Sequence, residues 1–144
     1  MIAIDTNILV YASRDDLTWH AEALACLASL AARRQQWAIP WPCVHEFLAT
    51  VTRPRYFDPP TPLPVALSTI EAWRQSPTLQ FIGEGAGYWE VLTRLATNAK
   101  LIGPRIHDAR VAAICISQGV TRLWTADRDF GLFPELKCEN PLVS

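Results

Sequence analysis

Short apolar runs alternate with longer segments of helical period along this chain. Ile2 to Ile4, Trp37 to Pro40, Leu79 to Ile82 and Thr121 to Thr125 have strand length. A last short strand is expected near Cys138 to Val143. Ile8 to Ala12 opens a helix, with Thr6 or Asn7 as its N-cap. Thr18 to Arg34 spaces Ala21, Leu24, Ala25, Ala28 and Leu30 close to the helical period. Pro42 suits the first turn of a third helix, which carries Glu46 and ends before Arg53-Pro54. Leu63 to Trp73, Tyr88 to Asn98 and Ile106 to Ser117 read as further helices. The last of these is almost wholly apolar, which predicts burial on most sides, and Gly119 ends it.

Helices that separate short apolar strands predict an α/β fold with a mostly parallel central sheet flanked by helices. The proline-rich stretch Phe57 to Pro64 is too short, and its flanks too small, to divide the chain. Residues 1–144 therefore read as one domain without internal repeats. Half of the residues are hydrophobic and 19% are charged, which is a globular balance. No apolar run reaches membrane-spanning length, so no membrane association is expected. Met1 leads straight into the first strand without a basic leader, and the four cysteines form no C-x-x-C pair. A reduced, cytoplasmic location is the expectation. The net charge of −1 excludes nucleic-acid binding by bulk electrostatics. A nucleic-acid ligand needs a local basic patch, for which Arg53, Arg55, Arg105, Arg110 and Arg128 are candidates, or a bridging metal ion.

Four acids stand where strands end or helices begin: Asp5, Glu46, Asp108 and Asp127. Each alone has an ordinary explanation as a cap, a turn residue or a solvated side chain. Jointly they are harder to dismiss. In parallel α/β sheets ligands bind beyond the carboxyl ends of the strands, where all four can converge. Clustered carboxylates beside apolar segments need a counter-charge, and Mg²⁺ or Mn²⁺ suits hard oxygen donors. That chemistry points to metal-assisted phosphodiester cleavage. His45 and His107 each precede an acid, but adjacent helical residues point about 100° apart, so neither is expected as a ligand.

The ordered motifs I-D-T-N-I-L-V-Y, E-F-L, H-D-A-R-V-A-A and L-W-T-A-D-R-D-F resemble the PIN-domain family, specifically VapC-type toxins of toxin–antitoxin pairs. The resemblance spans Ile2 to about Pro141, though the middle, from about Arg53 to Asn98, carries no signature. It implies a metal-dependent endoribonuclease in which Asp5, Glu46, Asp108 and Asp127 hold Mg²⁺ or Mn²⁺. It also implies supporting roles for Thr6, Asn7 and Thr125. Asp129 falls where some relatives carry another acid near the metal. The implied products carry a 5′-phosphate and a 3′-hydroxyl. The implied partners are RNA, a second copy of the chain and a VapB-like antitoxin. The antitoxin's groove is expected between the helix after Asn7, the helix Thr18 to Arg34 and the helix bearing Glu46. Two rivals differ in class. A PIN-fold RNA-binding or interaction module keeps the fold without catalysis. A phosphoacceptor receiver needs a late-strand lysine, and Lys100 and Lys137 do not supply one.

Overall fold

The computed structural model describes residues 1–143. Five strands form one wholly parallel sheet: β1 (Ile2–Ile4), β2 (Trp37–Pro40), β3 (Leu79–Ile82), β4 (Arg122–Trp124) and β5 (Lys137–Glu139). The order across the sheet is β3-β2-β1-β4-β5. Ala3 pairs with Ala38 on one side and with Leu123 on the other, so β1 is central. The helices are α1 (Thr6–Ser13), α2 (His20–Ala32), α3 (Trp41–Val51), α4 (Leu63–Arg74), α5 (Tyr88–Asn98) and α6 (Arg105–Ser117). A short 3₁₀ turn spans Arg128–Leu132.

All four residues of β2 are buried, as are Ala3 and Ile4 of β1. Neighbouring strand residues point to opposite faces, so both faces of the sheet are covered. α1 packs on α2 and α3, while α5 packs on α6. Five successive residues of α6, Val111 to Cys115, are buried. A helix buried over more than a full turn has no solvent face there, as its composition predicted.

The chain runs from β1 to β2 on one side of the sheet and later to β4 on the other. The strand order therefore reverses beside β1, which makes a crevice at the carboxyl ends of β1 and β4. Asp5 directly follows β1, and its amide donates to the Trp124 carbonyl at 3.0 Å.

Several boundaries differ from expectation. The N-cap of α1 is Asp5, not Thr6 or Asn7: its backbone is extended and its carboxylate accepts the Thr6 amide. Thr6 and Asn7 are already helical, which frees their side chains for other partners. The last strand ends at Glu139 instead of running to Val143. Asn140 folds an Asx turn by accepting the Leu142 amide at 3.0 Å, and Pro141 has no amide to donate to a ladder. The sheet is also all-parallel where mostly parallel was expected.

Gly119 follows α6 at φ +81°, in the left-handed region. The Val120 amide donates to Cys115 at 2.9 Å and the Gly119 amide to Ile116 at 3.3 Å, which completes a Schellman closure. No atom lies near a Cβ added there, so the backbone conformation alone demands glycine. Gly119→Ala is expected to destabilise the protein by about 1 kcal/mol, read as a lower denaturant midpoint with an unchanged slope.

Candidate active site

Three helical stripes wall one cavity of about 850 Å³. α1 supplies Thr6, Asn7, Val10 and Tyr11; α3 supplies Pro42, Glu46 and Thr50; α6 supplies His107, Asp108, Arg110 and Val111. Spacings of three and four residues place each set on one face of its helix. Asp5 lies at the floor, and Asp127 and Phe130 close the side beyond β4. Tyr56 and Phe57, from the loop after α3, form part of the rim.

Asp5, Glu46, Asp108 and Asp127 thus share one cavity. Asp129 does not line it: its amide donates to the Asp127 carboxylate at 2.9 Å and its side chain stands 3.7 Å from Arg105. α2 contributes no residue to the lining of this cavity, whose third wall is α6. His107 does line the cavity, because the wall formed by α6 is wider than a single stripe.

Asp5 is only 6% exposed. Its Oδ1 accepts the Thr6 amide at 2.8 Å and the Cys43 thiol at 3.5 Å. Its Oδ2 accepts the Thr125 hydroxyl at 2.8 Å and the Asn7 amide at 3.4 Å. The Asn7 Oδ1 accepts the Ala126 amide at 3.1 Å, which turns its NH₂ group toward Asp5 and Thr125. Thr125 Oγ1 also accepts the Asp127 amide at 2.9 Å. One hydroxyl therefore fixes Asp5 and the turn that carries Asp127. On the opposite side, the Thr6 hydroxyl donates to Glu46 at 3.0 Å. All three residues singled out as supporting bond directly to the acids or to the groups that place them. Cys43, which the sequence does not single out, is an additional donor.

Burial pushes the Asp5 carboxyl up to about 6, against the opposing effect of its hydrogen bonds to Thr125 and Thr6. Glu46 adds a smaller upward push. Asp108 is raised as well, first by burial and then by the charges of Asp127 and Asp129. Among the described residues, no lysine or arginine forms an ion pair with Asp5, Glu46, Asp108 or Asp127. The acidic ends of α1 and α6 lie at helix N-termini, where the macrodipole offsets part of the repulsion.

This donor set fits a hard divalent cation. Four carboxylates share one cavity, and among the described residues none of them forms an ion pair. Among the described residues, no three His, Cys, Asp or Glu side chains are grouped so as to hold a metal ion between them. An open arrangement with water in several positions is how Mg²⁺ is ordinarily held.

The fold and site define a small α/β domain with an acidic cavity at the switch point of its sheet. The PIN domain family matches residues 2–136, and the chain belongs to that family. It is similar to Ribonuclease VapC43 of Mycobacterium tuberculosis, at 32% identity over 142 residues, covering 99% of this chain and 96% of that protein. Ribonuclease VapC48 of the same species is 28% identical over 137 residues, covering 95% and 94%. Among solved structures, VapBC-1 from nontypeable Haemophilus influenzae matches with a TM-score of 0.71 at 15% identity, covering 99% of this chain and 100% of that one. VapBC2 from Rickettsia felis, bound to a promoter DNA fragment, matches at 0.68 and 22% identity, covering 96% and 98%.

The raised Asp5 pKa has a definite sign. The folded state holds this proton more tightly than the unfolded chain, so the stability that Asp5 contributes is fullest below pH 4 and is lost as pH rises through about 6. In EDTA the decline is expected to reach about 3 kcal/mol, from roughly two pH units at 1.4 kcal/mol each. Asp5→Asn is expected to flatten this part of the profile. Added Mg²⁺ at neutral pH is expected to restore stability to the wild type alone. Urea titrations across pH 4 to 8 make the measurement, and a pH-independent wild type over that range would contradict it.

Proposed function

We propose that this protein is a metal-dependent endoribonuclease and the toxin of a VapBC-type pair. The observation that carries the reading is the convergence of Asp5, Glu46, Asp108 and Asp127 on one cavity, where among the described residues none of the four forms an ion pair. Resemblance to proteins named VapC ribonucleases supports the substrate class. Mg²⁺ or Mn²⁺ held by these acids would polarise the phosphate and lower the pKa of a water.

The protein's own residues do the rest. Asp5 stays fixed because four donors hold its carboxylate. Thr125 and Asn7 keep Asp127 in register with it. Glu46 is steadied at Oε2 by Thr6, and among the described residues no donor bonds its other oxygen. The proton leaving the attacking water passes to that oxygen or to Asp108. The water oxygen bonds to phosphorus and the P–O3′ bond breaks; the departing 3′ oxygen takes a proton from solvent, leaving a 5′-phosphate and a 3′-hydroxyl. Asp129 supports this arrangement by capping, with its amide, the carboxylate of Asp127.

Asp5→Ala, Glu46→Ala and Asp108→Ala are each expected to lower cleavage of single-stranded RNA by at least about a hundredfold, with matched circular dichroism. Glu71→Ala, which removes an exposed ion pair with Arg74, is expected to leave the rate unchanged. Full activity in one of the three mutants would remove that residue from the site. A fold that binds RNA and cuts none in Mg²⁺ or Mn²⁺ would favour the non-catalytic alternative.

Two protein partners belong to this reading. Leu63 and Leu67 of α4, four residues apart on one face, are exposed and would be covered by a second copy. A VapB-like antitoxin would lay a segment across the acidic cavity and set a basic side chain against it. One set of titrations tests both partners. Light scattering of the protein alone is expected to return twice the chain mass. Calorimetry with the partner's tail is expected to give weaker, less salt-dependent binding for Asp5→Asn/Asp108→Asn than for wild type. A monomer, or unchanged affinity in the double mutant, would overturn the corresponding half.

A further inference from the structure

The loop after α3 reads Arg53-Pro54-Arg55-Tyr56-Phe57, and nothing in the acid chemistry calls for it. Tyr56 is 62% exposed, yet it lines the same cavity as the four acids. A single exposed aromatic is ordinary on a protein surface. This one is unusual in how firmly it is backed. Its ring meets Phe57 edge-on, with centroids 4.9 Å apart at 89°. Phe57 is buried, and the Arg14 guanidinium lies over its ring at 4.1 Å. Arg14 is itself held on several sides. It makes a two-pronged pair with Asp16 at 2.9 and 2.6 Å, and donates to the Pro59 carbonyl at 2.9 Å and to Thr61 at 3.2 Å. The far side of the loop is thereby tied to the end of α1, and Tyr56 stands on a fixed base.

Charge adds a second, independent feature. Arg53 and Arg55 are exposed, and among the described residues neither forms an ion pair. Most other arginines near the cavity are engaged: Arg105 with Asp129, and Arg110 with Glu84 at 2.7 Å. Arg53 lies 6.0 Å from the Tyr56 ring centroid. Arg55 holds φ +71°, a left-handed conformation that a residue with a Cβ rarely adopts. A cavity lined with acids repels phosphate, and the whole chain carries a net charge of −1. Polyanionic RNA therefore needs local cations at the rim, and the loop carries two.

We infer that this loop is the substrate platform: Tyr56 stacks on an unpaired base of the RNA while Arg53 and Arg55 take the flanking phosphates. Single-stranded nucleic acid is held by this combination of an aromatic face and nearby cations. Base-paired RNA keeps its bases stacked within the helix and cannot use the ring. The inference rests on RNA being the substrate, and it adds that the RNA must be unpaired at the position next to the cut. Arg14 is a positioning residue, which acts by holding Phe57 and the loop backbone.

The test separates binding from cleavage. Anisotropy with a short fluorescein-labelled single-stranded oligoribonucleotide is measured in EDTA, where no cutting occurs. Tyr56→Ala is expected to weaken binding about tenfold, a typical loss for one base–aromatic stack. Tyr56→Phe keeps the ring and is expected to bind as wild type does. Arg53→Ala/Arg55→Ala is expected to reduce the salt dependence of binding. In Mg²⁺, Tyr56→Ala is expected to raise KM about tenfold with little change in kcat. If Tyr56→Ala binds and cuts RNA as wild type does, the platform is wrong and the nuclease reading stands. If binding falls as expected but nothing is cut, the platform stands and the nuclease reading fails. Equal loss in Tyr56→Phe and Tyr56→Ala would overturn stacking, as would wild type that binds no RNA. Loss of a protein partner's affinity in Tyr56→Ala, with RNA binding intact, would assign the loop to that partner instead.

Discussion

A carboxylate sits at the end of the central strand with almost no access to water, and the site is organised around it. Asp5 leaves β1 with its amide still bonded to β4, so its position is set by the sheet. Its side chain then caps α1, so the direction of that helix is set by the same residue. Four donors surround it, and no cation does. Hydrogen bonds alone do not balance a buried charge, which is why the proton is held to about pH 6. The protein has built the geometry for an anion without supplying its counter-charge, and that imbalance is what makes a cation ligand physically reasonable.

The remaining acids are joined to Asp5 by short polar links. Thr125 bonds Asp5 and receives the amide of Asp127, while Thr6 reaches from the cap to Glu46. Asp108 arrives by another route. It is carried by α6, whose core residues are buried and whose first turn opens onto the cavity. Displacing α6 would move one acid relative to the other three. The closure at Gly119 and the packing of α5 on α6 therefore support the site although neither touches it.

The reading from sequence succeeded where local pattern and tertiary position agree. Strands β1 to β4 are short, mostly apolar runs, and α6 is apolar on all sides from Val111 to Ile116, so composition alone marks them. The acids were legible because strand ends and helix starts are local features, and parallel topology brings strand ends together. The errors have equally local causes. Asp5 is the stronger cap because it sits one residue before the helical dihedrals begin, and periodicity does not resolve a one-residue offset. The last strand was drawn past Pro141 because its apolar residues conceal an Asx turn. Cys43 was invisible as a donor, since nothing in a helical segment shows which thiol faces a carboxylate. The loop from Arg53 to Phe57 has no periodicity at all, and its place beside the cavity follows from Arg14, which lies over Phe57 and bonds Pro59 and Thr61 just beyond it.

That loop bears on a difficulty inherent in any acidic site that is to meet a polyanion. Four carboxylates attract a cation and repel a phosphate, so the same feature that loads the site would keep substrate away. Raising the net charge would solve this only by giving up discrimination, because a uniformly basic surface binds any nucleic acid. Spatial separation offers another solution. The acids line the cavity together with the Tyr56 ring, while the exposed Arg53 and Arg55 belong to the loop that carries that ring. Cations at the rim draw the backbone in, and an aromatic face admits only a base that is already unstacked. On the proposed reading, charge at the floor would serve a metal ion alone, so a chain of net charge −1 could present one polarity to the ion and the other to RNA.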